Sequence, residues 1–184
     1  MLDVGSYNGD SAEDIMDFYN HKFENIYCVE ASFENLLLLR NFRNSHQKYI
    51  EKIVLISCAM GDKNQFEVMQ DSGETTSLDR YNTNSEFDLK QVIIPVCTFD
   101  SHFTNMGINL IKMDIEGYEL NAIKGAEKYI RERAPFMAIA VYHKPTDLYE
   151  IPNKILEINP DYTFILRLYS ECLEELVLYC IPKY

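Results

Sequence analysis

Tryptophan is absent from this sequence and basic side chains are scarce: 17 Lys and Arg stand against 29 Asp and Glu, a formal net charge of -12. A surplus of that size repels phosphate backbones and anionic lipid surfaces, so neither nucleic acid nor membrane is an expected partner. No apolar run approaches the roughly 20 residues a bilayer-spanning helix needs, and no basic stretch leads into an apolar one as in a secretory signal. We therefore expect a cytoplasmic protein. The five cysteines (Cys28, Cys58, Cys97, Cys172 and Cys180) form no CxxC pair and mostly sit in apolar runs, as reduced, buried thiols do. The histidines, His21, His46, His102 and His143, have no spacing of a dedicated metal site, and no metal is expected. Glycine is sparse, with seven residues and no GxGxxG turn, which argues against a nicotinamide dinucleotide.

What the sequence does have is a 47% hydrophobic content arranged in strand-length runs that alternate with helix-period segments. That alternation predicts an α/β fold, a mostly parallel central sheet with helices on both faces. No Pro/Gly/Ser-rich linker interrupts it, so residues 1–184 read as one domain. Strands are expected at Met1–Val4, 25–30, 52–62, 92–100, 108–117 and 136–144, with a short extended piece at Phe66–Met69. The segments 163–169 and 173–181 read as an antiparallel pair closing one edge. Helices are expected at 11–20, with Ser11 as cap, at 32–42, capped by Ser32, at 118–133, and at 151–159, with Pro152 in the first turn. Gln70–Gln91 is polar and aperiodic and reads as a long loop.

In open α/β sheets, ligands bind at the carboxyl ends of the strands, where strand order reverses. The chemically distinctive residues gather there: Asp3, Gly5, Gly9 and Asp10 after the first strand, Glu30 ending the second, Asp62 past the third, Asp114 and Glu116 ending the fourth, and His143 ending the fifth. The first turn reads Gly5-Ser6-Tyr7-Asn8-Gly9-Asp10. Its two glycines permit positive φ and close backbone approach, while Asp10 stands where a pyrophosphate would have to sit. The turn thus suits a ligand with a cationic or amino-acid part. Glu30 occupies the place from which a carboxylate accepts hydrogen bonds from ribose hydroxyls. Alternation along the fourth strand puts Lys112, Asp114 and Glu116 on one face; a lysine so covered needs a carboxylate, and Asp114 or another acid is its expected partner. Its role is then either to orient Asp114 or to touch substrate.

The segments "DVGSYNGD", "VEASFEN", "AMGD", "VCTFD" and above all "IKMDIEGYELNAIKGA" resemble the class I S-adenosylmethionine-dependent methyltransferases, specifically the FkbM-type family, from Leu2 to about Tyr179. The resemblance implies a Rossmann-like class I methyltransferase fold, S-adenosylmethionine as cofactor, and O-methylation of a hydroxyl on a saccharide or related natural product. By position it implies cofactor contacts from Asp3, Gly5, Tyr7, Asn8, Gly9 and Asp10, from Glu30 with Ala31, from Ala59 within the Cys58–Gly61 adenine wall, and from Asp114. Lys112, Asp114 and Glu116 match the block facing the sulfonium and acceptor. A hydroxyl acceptor must lose a proton, and His143, with Asp114 as competitor, is the candidate base; His143, Asp114 and Lys112 are thus the expected catalytic residues. Asp114 could instead hold the cofactor's amino group or a divalent metal. Thr76 and Ser77 fall where the family has small hydroxyl residues, and Tyr81 and Phe87 lie in the same loop. Members carry a segment upstream of the first strand, so such a segment is expected to be missing here. The competing expectation is a truncated or degenerate nucleoside-binding module without catalytic activity.

Overall fold

The computed structural model describes residues 1–71, 90–170 and 175–183. In its first half the chain runs β1 (Leu2–Val4), α1 (Asp10–Phe18), β2 (Ile26–Glu30), α2 (Phe33–Ser45), β3 (Ile53–Ser57), β4 (Ala59–Met60), β5 (Gln65–Asp71) and β6 (Lys90–Cys97). It continues through α3 (Phe99–His102), β7 (Leu110–Met113), α4 (Glu119–Lys124), α5 (Glu127–Arg133), β8 (Phe136–Ala140), α6 (Asp147–Ile158), β9 (Tyr162–Leu168) and β10 (Leu176–Pro182).

Among the described residues, seven strands form the main sheet in the order β3-β2-β1-β7-β8-β10-β9. The pairs from β3 to β8 are parallel, and β10 runs antiparallel to both β8 and β9. The chain builds outward from β1 to β3 and then returns to lay β7 on the other flank of β1. The reversal of strand order falls between β1 and β7, and it opens a crevice at their carboxyl ends. The antiparallel edge pair expected from the sequence is β9 with β10.

Side chains alternate between the two faces. Along β2, Ile26 and Cys28 join Ala12, Met16, Leu39, Phe42 and Ile53 under α1 and α2. Val29 instead joins Leu2, Val4, Ile111, Met113 and residues of α3 to α6, including Phe99, Ile123, Tyr129, Ile151 and Ile155, on the opposite face. Cys28, Cys58 and Cys180 are buried and free, and burial pushes the thiols of Cys28 and Cys58 up to about 12, so they behave as small hydrophobes. Cys172 lies outside the described residues. Among the described residues no helix is long and apolar enough to cross a membrane.

Five local expectations are corrected. The run 52–62 is two strands: β3 stays in the main sheet, and β4 leaves it to pair with β6 in a second sheet of order β4-β6-β5. That small sheet buries Ala59, Met69, Ile94 and Val96 together. Extended structure also reaches into both ends of the expected Gln70–Gln91 loop, as β5 pairs Asp71 with Lys90 of β6. Thr76, Ser77, Tyr81 and Phe87 fall outside the described residues. The helix at 118–133 is broken into α4 and α5 at Gly125, which presses against the Gly61 carbonyl so closely that an added Cβ would lie 1.9 Å from its oxygen. Finally, α1 starts at Asp10 behind Gly9, with no side-chain cap from Ser11, and Pro152 lies inside α6, past its first turn. Ser32 does cap α2, accepting from the Asn35 N–H at 3.3 Å.

Candidate active site

The turn after β1 is shaped by backbone that few residues tolerate. Gly5 has φ +75°, and a Cβ there would overlap the Asp114 carbonyl oxygen at 1.8 Å. Two non-glycine residues at this end of the sheet also adopt the left-handed region, Tyr7 at φ 47° and Glu116 at φ 55°. Such positions are strained and persist where surrounding bonds fix them. The bond at Tyr7 is to Glu30: its N–H donates to Oε2 at 3.0 Å, while the Ser32 N–H donates to Oε1 at 2.8 Å. Glu30 is only 7% exposed. Burial raises its pKa above the ordinary value, opposed by the amide donors of Ser32 and Tyr7.

Lys112 sits directly beneath this turn. The parallel register of β1 and β7 pairs Asp3 with Lys112, which brings the two side chains onto one face. The Lys112 ammonium lies 3.3 Å from Asp3 Oδ1 and donates to the Gly5 carbonyl at 2.7 Å. Of the partners expected for it, Asp114 or another acid, the structure gives Asp3, and Lys112 also holds the turn through the Gly5 carbonyl. Asp3 is fully buried, and burial raises its pKa although Lys112 pulls the other way. For Lys112 burial disfavours the charge, but Asp3 and Asp114 outweigh it and hold the ammonium charged.

A second cluster lies where β7 and β8 end. Asp114, whose N–H still donates to the Val4 carbonyl at 3.0 Å, accepts from the Tyr142 hydroxyl at 3.3 Å. His143 packs on Tyr142 with ring centroids 4.1 Å apart. Its Nε2 lies 3.4 Å from Asp114 Oδ1 and 3.5 Å from Glu116 Oε2, and its Nδ1 3.1 Å from Glu119 Oε1. None of these approaches is aligned as a hydrogen bond. Burial disfavours charge on the imidazole, yet Glu119, Asp114 and Glu116 together outweigh it and raise its pKa. The Glu116 carboxyl is also raised, by burial first, with His143 opposing and Asp114 and Glu119 adding to it. The fourth-strand alternation ends at Met113, so Glu116 reaches the cluster through a turn, Glu116–Gly117, and not along the strand. Glu119, the first residue of α4, is fully buried and accepts the Ile115 N–H at 2.8 Å.

Between these groups is a cavity of about 300 Å³, within the range of small-ligand sites. Gly5, Tyr7, Asp10, Glu30, Ala31, Ala59, Lys112 and Asp114 line it, joined by Cys58, Met60, Met69, Glu116 and Tyr118. Other sequence-selected residues stand off it. Asp3 is buried below with Lys112, Gly9 backs onto Phe42, and Asn8 is exposed and accepts the Asp10 N–H at 3.0 Å. His143 adjoins the lining through Asp114 and Glu116. Asp62 does not line it. Glu119, Tyr142 and Met69 were not singled out in the sequence; Glu119 stands inside the segment "IKMDIEGYELNAIKGA", but nothing local tells that a carboxylate at a helix start is turned inward. A cavity of about 900 Å³ lies at the amino ends of β1, β7 and β8, near Met1, Leu110 and Phe136, away from the strand-end acids.

The strand order, its single reversed strand and the crevice at the β1/β7 switch define a Rossmann-like class I methyltransferase fold. The model of the FkbM methyltransferase domain matches residues 3–174, and the chain belongs to that family. A crystal structure of a methyltransferase FkbM from Methylobacillus flagellatus KT is 30% identical, with TM-score 0.81, over 98% of this chain and 43% of that one. The chain thus spans less than half the length of that relative. More distant structures share the fold: precorrin-6y C5,15-methyltransferase from Geobacter metallireducens GS-15 (8% identity, TM-score 0.57, 100% of this chain and 79% of that one) and the SAH-bound Podospora anserina methyltransferase PaMTH1 (13%, 0.51, 100% and 71%). No curated protein matches the chain.

Proposed function

We propose that this chain is an S-adenosylmethionine-dependent O-methyltransferase acting on a hydroxyl, most simply that of a saccharide. The observation that carries the reading is the donor set of the cavity. Its lining combines Glu30, preset by the Tyr7 and Ser32 amides, with apolar surface from Cys58, Ala59, Met60 and Met69 and with the acids Asp10, Asp114 and Glu116. A carboxylate for ribose hydroxyls, apolar surface for a purine and acids for a cationic amino-acid part suit S-adenosylmethionine, whereas such acids disfavour a pyrophosphate.

When bound, that cofactor supplies an electrophilic methyl carbon: the acceptor oxygen bonds to it as the carbon–sulfur bond breaks, the electron pair passing to sulfur. The protein's part is positioning and electrostatics. Gly5 allows the turn to approach β7, Lys112 holds that turn through its carbonyl, and Asp114, Glu116 and His143 form the cluster that takes up the hydroxyl proton.

Incubation of the chain with methyl-labelled S-adenosylmethionine and a panel of saccharides tests this. The expected result is label in an alkali-stable methyl ether, with an equal amount of S-adenosylhomocysteine formed. Label on nitrogen or carboxylate would overturn O-methylation, and cofactor binding without turnover on any acceptor would favour a non-catalytic nucleoside-binding module.

A further inference from the structure

We propose that Asp114, Glu119 and His143 together bind one divalent cation, and that this ion holds the acceptor beside the cofactor cavity through neighbouring hydroxyl oxygens. The inference deepens the methyl-transfer reading and rests on it.

Three separate segments converge to make the site: the residue after β7, the first residue of α4 and the strand exit of β8. One donor atom from each lies within 4.8 Å of the other two. Donors bound to a common ion at about 2.1 Å are about 3.0 Å apart when at right angles and about 4.2 Å apart when opposed. The 3.4 Å between His143 Nε2 and Asp114 Oδ1 falls inside that span.

Burial supplies the independent observation. The His143 side chain is 9% exposed, and among the described residues neither ring nitrogen has an aligned hydrogen bond, Nδ1 lying 3.1 Å from Glu119 and Nε2 3.4 Å from Asp114. Glu119 is fully buried, and its Oε2 is likewise without one. Buried polar atoms are nearly always hydrogen bonded, so unpaired atoms on His143 and Glu119, in a group whose donor atoms lie within 4.8 Å of one another, call for a partner. A cation takes one donor atom from each residue, a single imidazole nitrogen among them, and offsets the repulsion between the Asp114 and Glu119 carboxylates, which no single hydrogen bond can do. The histidines have no such spacing in sequence; the set is completed only when the fold brings two acids to His143.

One imidazole with two carboxylates suits Mn²⁺ or Zn²⁺ better than an all-oxygen Ca²⁺ site, and three protein ligands leave positions open. Asp114 and Glu116 border the cavity, so the open side faces it. A polyhydroxylated acceptor can chelate there through two adjacent oxygens, and the ion lowers the pKa of the hydroxyl it holds. Glu116, 3.5 Å from His143 and 37% exposed, is left to receive the proton that the oxygen gives up as it bonds to the methyl carbon.

The test uses Mn²⁺ alone, its free concentration followed by electron paramagnetic resonance, on the full chain and on Glu119→Gln and His143→Ala. Glutamine keeps an oxygen for the Ile115 N–H, and thermal melts report whether each variant folds. We expect one Mn²⁺ per chain, with affinity weakened by about 10-fold or more in whichever variants remain folded. Absence of Mn²⁺ and Zn²⁺ binding at millimolar concentration, or binding unchanged in a folded variant, would overturn the site. S-adenosylhomocysteine binding is measured on the same samples: cofactor binding without metal sinks this inference alone, and metal binding without cofactor sinks the parent reading and the ion's role toward the acceptor, leaving only the ion site.

Discussion

Lys112→Met is expected to destabilise the chain by about 3–5 kcal/mol at neutral pH, the usual result of removing one partner from a buried ion pair. The reason is Asp3. It is fully buried, and among the described residues neither of its carboxylate oxygens has a hydrogen bond, so the ammonium 3.3 Å away is what compensates its charge. The variant also frees the Gly5 carbonyl, which accepts from Lys112 at 2.7 Å, and so loosens the turn lining the cavity. The pH dependence has a definite sign. The Asp3 pKa is raised in the fold, so its contribution to stability is present at low pH and is lost as pH rises through the folded value. Without Lys112 that pKa rises further, and the gap between variant and wild type should narrow on acidification. Urea denaturation across a pH series measures this. An Asp3→Val, Lys112→Met double variant should recover much of the loss, since exchanging a buried pair for apolar groups is often neutral.

Glu30→Ala should weaken S-adenosylmethionine binding by about 1.5–3 kcal/mol, roughly 10- to 150-fold, as expected for losing charge-assisted hydrogen bonds to ribose. The carboxylate is held at its post by the Tyr7 and Ser32 amides, so it is ordered before the ligand arrives. Only the ionised carboxyl can accept from both hydroxyls. Its pKa is raised by burial, so affinity in the wild type should fall on acidification at a higher pH than for an ordinary glutamate, and this fall should vanish in the variant. Calorimetric titration over pH reads both effects.

Much of this was readable before any coordinates, because it depends on local pattern. The glycines of the first turn, the cap at Ser32 and the acid ending β2 stand close in sequence, so their spacing alone places them at the mouth of a β-α-β crevice. The rest depends on pairing between distant segments. Asp3 and Lys112 meet because β1 lies beside β7 in a particular register, which no pattern within either strand specifies. Period-2 alternation placed Glu116 on the strand, but β7 stops at Met113 and a left-handed residue at Glu116 redirects the chain. The run 52–62 is apolar throughout, so nothing in it marks where β4 peels away to the second sheet. Glu119 was missed for a related reason: an acid in the first turn of a helix ordinarily faces water, and only the packing of α4 against the exit of β8 turns it inward.

The most direct test of the central claim is a crystal structure of the chain with S-adenosylhomocysteine. The prediction is the nucleoside at the carboxyl ends of β1 and β2, its ribose hydroxyls on the Glu30 carboxylate and its amino-acid end toward Asp10 or Asp114. Ligand density elsewhere, for instance at the amino ends of the strands, or a ribose held without Glu30, would contradict the account.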